Sequence, residues 1–96
     1  MWPDKRKSIV AKIFIDVREH SEFVSDHVEG ALNIPLSELK STDSTLTTIP
    51  KGATIILYCQ SGGRSQMAMR LLKNLGYKNV TNGINRSYIE ANYLYE

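Results

Sequence analysis

An α/β fold, with a mainly parallel central sheet flanked by helices on both faces, is predicted by three features of the sequence. Short apolar runs rich in Ile, Val, Phe and Tyr alternate with stretches of helical periodicity, the pattern of strands joined through crossover helices. The stretch Thr54 to Leu75, TIILYCQSGGRSQMAMRLLKNL, passes from strand through a glycine-containing loop straight into a helix. Length sets the scale: 96 residues suffice for one modest core, so 1–96 is read as a single domain.

Taken in order, residues 1–8 are polar and are read as a frayed terminus. Ile13-Phe14-Ile15, followed by Asp16-Val17, predicts a buried strand ending in charge. Ser21 to Val24 suits a short helix with Ser21 as its N-cap, and Gly30 closes that segment. Ala31 to Ile34 returns as a short strand ended by Pro35. Leu36 to Lys40 fits one or two helical turns, because proline is tolerated at a first helical position and Leu36 and Leu39 lie three apart. Ser41 to Thr48 is a Ser/Thr-rich connection anchored by Leu46 and Ile49, and Pro50-Lys51-Gly52 is a turn. After the central strand and its loop, Ala68, Leu71, Leu72 and Leu75 mark the buried face of a long helix, with Gly76 as its C-terminal cap. Asn79-Val80-Thr81 predicts a short strand and Asn82-Gly83 a turn. Ile84 to Leu94 then predicts a terminal helix that packs through Tyr88, Ile89 and Tyr93.

Composition excludes several classes. With 42% hydrophobic and 23% charged residues, disordered and collagen-like chains are out. A net charge of +2 is too small to argue for nucleic acid or an anionic membrane surface, and Lys5-Arg6-Lys7 reads as a solvated end. One cysteine makes no internal disulfide. His20 and His27, without a second cysteine, offer no metal-ligand spacing, so no metal is expected. No run approaches the roughly 18 apolar residues of a membrane span. The N-terminus lacks the apolar segment of a secretory leader, which sets the expected location as the cytoplasm, or the periplasm if a leader has been removed.

The chemistry concentrates at Cys59, which the strand delivers to the loop at its carboxyl end, where parallel sheets bind ligands. Gly62 and Gly63 let that loop adopt positive φ and turn its N–H groups inward, and the following helix N-terminus adds free N–H groups and positive dipole potential. Gln60, Ser61, Gly62, Gly63, Arg64 and Ser65 thereby form an anion cradle, in which Arg64 adds a permanent positive charge. Both features favour the thiolate of Cys59. The competing reading is a small, buried, inert cysteine, as free cysteines often are. Four loop residues with two glycines, then Arg-Ser and a helix, distinguish the reactive reading, because each part has a task in holding an anion.

With these motifs in place, the chain resembles the single-domain rhodaneses, thiosulfate sulfurtransferases, and is similar in layout to the small phage-shock-protein-E type. The resemblance runs through Ile15-Asp16-Val17-Arg18-Glu19, His27 to Pro35 (HVEGALNIP), Tyr58 to Ser65 (YCQSGGRS) and Leu75-Gly76-Tyr77. It implies a small rhodanese-like α/β domain with no cofactor. It also implies Cys59 as the catalytic residue, a persulfide held by the amides of Gln60 to Ser65, and Arg64 as the loop arginine. Asp16 and Arg18 resemble the family's buried pair and, with His27 of the His-x-x-Gly-Ala signature, are read as structural support. Donors would be thiosulfate or another small sulfane anion, and acceptors cyanide, a thiol or a partner protein's thiol; nucleic acid and membrane are not implied. Three departures stand out. Gln60 replaces a second basic residue, so the pocket should attract anions less strongly. Asn82-Gly83 and Tyr88 stand where the family has Gly-Gly and a Trp. The segment before Ile13 is short.

Two alternatives carry their own signatures. Phosphatases and arsenate reductases of the cysteine-arginine loop type place five residues between Cys and Arg, whereas this chain places four, a tighter cup suited to a single sulfur. The other is a non-catalytic module, either a binding domain that keeps the fold while serving a partner or a relay sulfur carrier, and a relay would hand sulfur to one protein thiol and serve small acceptors poorly.

Overall fold

The computed structural model describes residues 12–39 and 45–93. The expectation of a frayed terminus at 1–8 lies outside these residues, as do residues 41–44, half of the Ser/Thr-rich connection. The strands are β1 (Lys12–Asp16), β2 (Leu32–Asn33), β3 (Thr54–Cys59) and β4 (Asn79–Asn85). The helices are α1 (His20–Ser25), α2 (Gly63–Asn74) and α3 (Arg86–Asn92), with 3-10 turns at Leu36–Glu38 and Thr45–Thr48. All pairings are parallel, in the order β2-β1-β3-β4.

The two most apolar segments, β1 and β3, take the central positions because a central parallel strand is covered on both faces. β3 shows the alternation directly. Ile55, Leu57 and Cys59 join Ala68, Leu72, Leu39, Leu46, Ile49 and Tyr77 on one face. Ile56 and Tyr58 join Val28 and Ile89 on the other. α2 thus covers one face and α3 the other. Each fully buried Ile or Leu of this set contributes about 1.5–3 kcal/mol against leaving it in water.

Chain punctuation follows local chemistry. Gly76, at φ +104, ends α2 in a Schellman arrangement: its N–H reaches the Lys73 carbonyl and that of Tyr77 reaches Leu72. The buried Tyr77 hydroxyl then lies 2.9 Å from the carbonyls of both Leu46 and Ile49 and ties down the second 3-10 turn.

Four local expectations are corrected. The N-cap of α1 is Glu19 rather than Ser21, because the Glu22 carboxylate accepts from the Glu19 N–H at 3.0 Å and fixes the start two residues earlier. Leu75 does not complete the buried face of α2; it sits at the C-cap and is exposed. Tyr88 does not pack into the core either, whereas Ile89 is fully buried. Asn82-Gly83 is not a turn: β4 runs through it to Asn85, and α3 begins at Arg86 with the Asn85 side chain accepting from the Tyr88 N–H at 2.8 Å.

The reason for the last correction is packing. A Cβ on Gly83 would lie 2.8 Å from Ile56 Cγ2 and 2.8 Å from Ile89 Cγ1, so the residue is glycine to let strand and helix approach, not to turn the chain. Gly83→Ala should therefore cost about 1–3 kcal/mol of stability as α3 is pushed from the sheet. An unchanged midpoint in urea denaturation would count against this account.

Candidate active site

Cys59 is the last residue of the central strand β3, and its sulfur faces the α2 side of the sheet. The loop that follows folds back over it. The Gly62 N–H donates to Cys59 Sγ at 3.1 Å and the Ser65 N–H at 3.4 Å, with Ser65 Oγ also at 3.4 Å. Gly62 can present its amide because it holds φ +97 at the N-cap of α2, a conformation that strains residues with a Cβ. Burial pushes the Cys59 thiol up, but the Ser65 hydroxyl and the amides of Ser65, Gly62 and Ser61 outweigh it, leaving the pKa lowered to about 7. The loop donors thus favour the thiolate of Cys59.

β4 supplies the back wall. Between Leu57 and Cys59 its register slips: Leu57 faces Asn82, but Cys59 faces Asn85, so β4 carries one extra residue. The slip is marked by Ile84, which holds φ +72, a left-handed conformation rare for a β-branched residue. The Asn82 carboxamide occupies the space behind the loop. Its Oδ1 accepts from the Ile84 N–H at 2.9 Å and from Ser65 Oγ at 2.6 Å, while its Nδ2 donates to the Gly62 carbonyl and to Gln66 Oε1, each at 3.2 Å.

In front of the sulfur opens a cleft of about 530 Å³, lined by Cys59 and Gln60, by Arg18, Glu22, Ser25 and Asp26, and by Asn85, Arg86 and Ser87. Its charges are compensated. Arg18 makes a bidentate pair with the fully buried Asp16, with Nη2 at 2.7 Å, and donates to the Asp26 carbonyl at 2.7 Å. The Asp26 carboxylate lies 3.7 Å from Arg18 and 3.6 Å from Arg86, which also binds Glu90 at 2.7 Å. Arg64, expected inside the cradle, turns its guanidinium to Glu22 at 2.8 and 3.1 Å and does not line the cleft. That contact, followed by the Glu19 N–H, holds the Glu22 carboxyl down at about 2.

Of the residues singled out in the sequence, Gln60 lines the cleft and Gly62 and Ser65 reach the sulfur directly. Arg18 lines the cleft and pairs with Asp16, which is buried behind it. His27 lies apart from the cleft: its Nδ1 is 2.7 Å from the Phe23 carbonyl and its ring stacks on Phe23 at 3.7 Å between centroids. Sequence reasoning missed Glu22, Asp26, Asn82 and Arg86. Asn85 was the available signal for Arg86, since an Asn preceding a helical run is a cap and places the next residue at the helix mouth.

Comparison with known proteins gives a consistent picture. The rhodanese-like domain profile matches residues 3–85. The thiosulfate sulfurtransferase PspE of Escherichia coli K12 is 40% identical over 73 residues, which is 75% of this chain and 68% of that protein. The adenylyltransferase and sulfurtransferase uba4 of Ogataea parapolymorpha is 35% identical over 74 residues, 77% of this chain but only 18% of that protein. Among solved structures, a rhodanese with anions from E. coli superposes with a TM-score of 0.73 at 37% identity, covering 82% of this chain and 92% of that one. Among the described residues, no helix is long and apolar enough to cross a membrane.

Proposed function

The chain belongs to the rhodanese-like domain family of sulfurtransferases, and from that premise we propose that it moves a sulfane sulfur from thiosulfate or a persulfide donor to a thiol or cyanide through a persulfide on Cys59. One observation carries the reading: a cysteine with a pKa of about 7 ends the central strand under inward-facing loop amides. The thiolate attacks the outer sulfur of thiosulfate, a Cys59 S–S bond forms, and the S–S bond of the donor breaks with its electron pair leaving on sulfite. The acceptor's thiolate, or cyanide, then takes the outer sulfur, and the bonding pair returns to Cys59. The amides of Gly62 and Ser65 are already oriented toward negative charge on sulfur and need no reorganisation in either step.

What supports this over an oxyanion-ester hydrolase is that the guanidinium of Arg64 is paired with Glu22, while Arg18 and Arg86, which line the cleft, are paired with Asp16, Asp26 and Glu90. The charge balance of the cleft also supports acceptors that are not strongly anionic, among them a thiol on a partner protein.

The test is intact mass. Reduced protein incubated with thiosulfate should gain one sulfur atom, and added cyanide should remove it as thiocyanate. No uptake by a protein whose Cys59 still alkylates readily at neutral pH would sink thiosulfate as donor, and a persulfide donor run in parallel would decide the class.

A further inference from the structure

We propose that Asn82 is a positioning residue for the Cys59 nucleophile, acting through the single hydroxyl proton of Ser65, which the Asn82 amide oxygen and the Cys59 sulfur both claim. The inference rests on Cys59 as the nucleophile, and it concerns a side chain on β4 that lies behind the loop rather than in the cleft.

The geometry makes the competition unavoidable. Ser65 is fully buried, and its Oγ has Asn82 Oδ1 at 2.6 Å on one side and Cys59 Sγ at 3.4 Å on the other. A hydroxyl has one proton to give. The orientation of the carboxamide is fixed by its neighbours. The Ile84 N–H can only donate, so the atom 2.9 Å from it is oxygen, and the Gly62 carbonyl can only accept, so the atom 3.2 Å from it is nitrogen. Asn82 therefore faces Ser65 with an acceptor in every protonation state of the cysteine.

Two consequences follow, of opposite sign. When Cys59 is a thiol, its proton goes to Ser65 Oγ and the Ser65 proton to Asn82, a continuous chain in which every donor is used. When Cys59 ionises, the Ser65 proton must leave Asn82 to reach the sulfur, and the short Ser65–Asn82 bond is the cost. The oxygen of Asn82 thus favours the thiol. Its nitrogen favours the thiolate, because it holds the carbonyl of Gly62, whose own N–H donates to the sulfur. Together they leave Cys59 poised rather than permanently ionised.

The other charged groups around the sulfur are Arg18 after β1, Glu22 and Asp26 of the α1 segment, Arg64 at the start of α2 and Arg86 at the start of α3. β4 itself contributes no titratable side chain. None of these groups is altered by substitution at Asn82 or Ser65, so they act equally in every variant compared.

The test reads the thiolate by alkylation with iodoacetamide as a function of pH, which does not depend on sulfur transfer and so separates this inference from the function proposed above. Asn82→Asp and Asn82→Leu are close in shape to asparagine and both lose the nitrogen tether. They differ in the oxygen and in charge: N82D strengthens the acceptor and adds a carboxylate that acts on the sulfur in either Ser65 background, N82L removes the acceptor, and only the part of the gap that Ser65→Ala abolishes belongs to the contested proton. The alkylation midpoint of N82D should lie above that of N82L by about one pH unit, about tenfold in thiolate fraction below the midpoint. The gap should shrink by more than half when both are made with Ser65→Ala, because the contested proton is then absent. Equal midpoints for the two variants, or a gap that Ser65→Ala leaves intact, would overturn the proposal. If N82L does not fold, the comparison of N82D with the wild type in the Ser65 and Ser65→Ala backgrounds decides it alone.

Discussion

Cys59→Ser is expected to lower thiocyanate formation from thiosulfate and cyanide by on the order of a thousandfold or more, the scale of removing a covalent nucleophile. The substitution keeps nearly the same shape and can accept from the same Gly62 and Ser65 amides, so the loop should stay folded. What is lost is the anion. A serine hydroxyl stays protonated where Cys59 is poised near pH 7, and oxygen forms no counterpart of the persulfide. Because the chain contains one cysteine, no second thiol can take over. Turnover within tenfold of the wild type, with an unchanged circular dichroism spectrum, would defeat the covalent mechanism.

Arg18→Ala should produce the largest loss of stability, about 3–5 kcal/mol, by leaving a buried charge without its partner. Asp16 is fully buried at the carboxyl end of β1, and its two oxygens accept from Arg18 Nε and Nη2, with Oδ1 also accepting from the Arg18 N–H. The Arg18 side chain is only 11% exposed, so water cannot take its place without opening the cleft wall. Removing both charges should do less harm than removing one: Asp16→Asn combined with Arg18→Ala should regain part of the loss. Chemical denaturation of the two variants beside the wild type checks this, and a cost below about 1 kcal/mol for Arg18→Ala would mean that the pair behaves as an exposed one.

Much of the architecture was legible because it is written in local chemistry. The apolar run of β3, the glycines of the loop, the periodic leucines of α2 and Gly76 at its end each act on residues within a few positions of themselves. Leu46 and Ile49 were readable for the same reason, as isolated apolar residues in a polar stretch that end buried. The end of the chain was misread where distant residues decide. Gly83 looked like a turn because nothing near it in sequence reveals Ile56 and Ile89 pressing from both sides. Asn82 looked like its companion because its hydrogen-bond partners lie 16 to 20 residues away, except Ile84. Arg64, read as part of the loop, stands in the first turn of α2, and the direction of its long side chain depends on what it meets: Glu22 stands 42 residues earlier.

The two walls of the cleft are built from elements of unequal permanence. The sulfur sits on β3, a central strand paired on both edges, and under α2, a helix of 12 residues. The facing wall comes from α1 and α3, of 6 and 7 residues, lengths that hold helical structure only through what they pack against. Local opening in folded proteins draws on such weakly held segments while central strands stay shut. The wall of α1 and α3 is therefore expected to open at lower cost than the strand that carries Cys59, and faster amide exchange in α1 and α3 than in β3 would check it. Accommodation and reactivity are housed in different parts of the same small chain, so one can change without loosening the other.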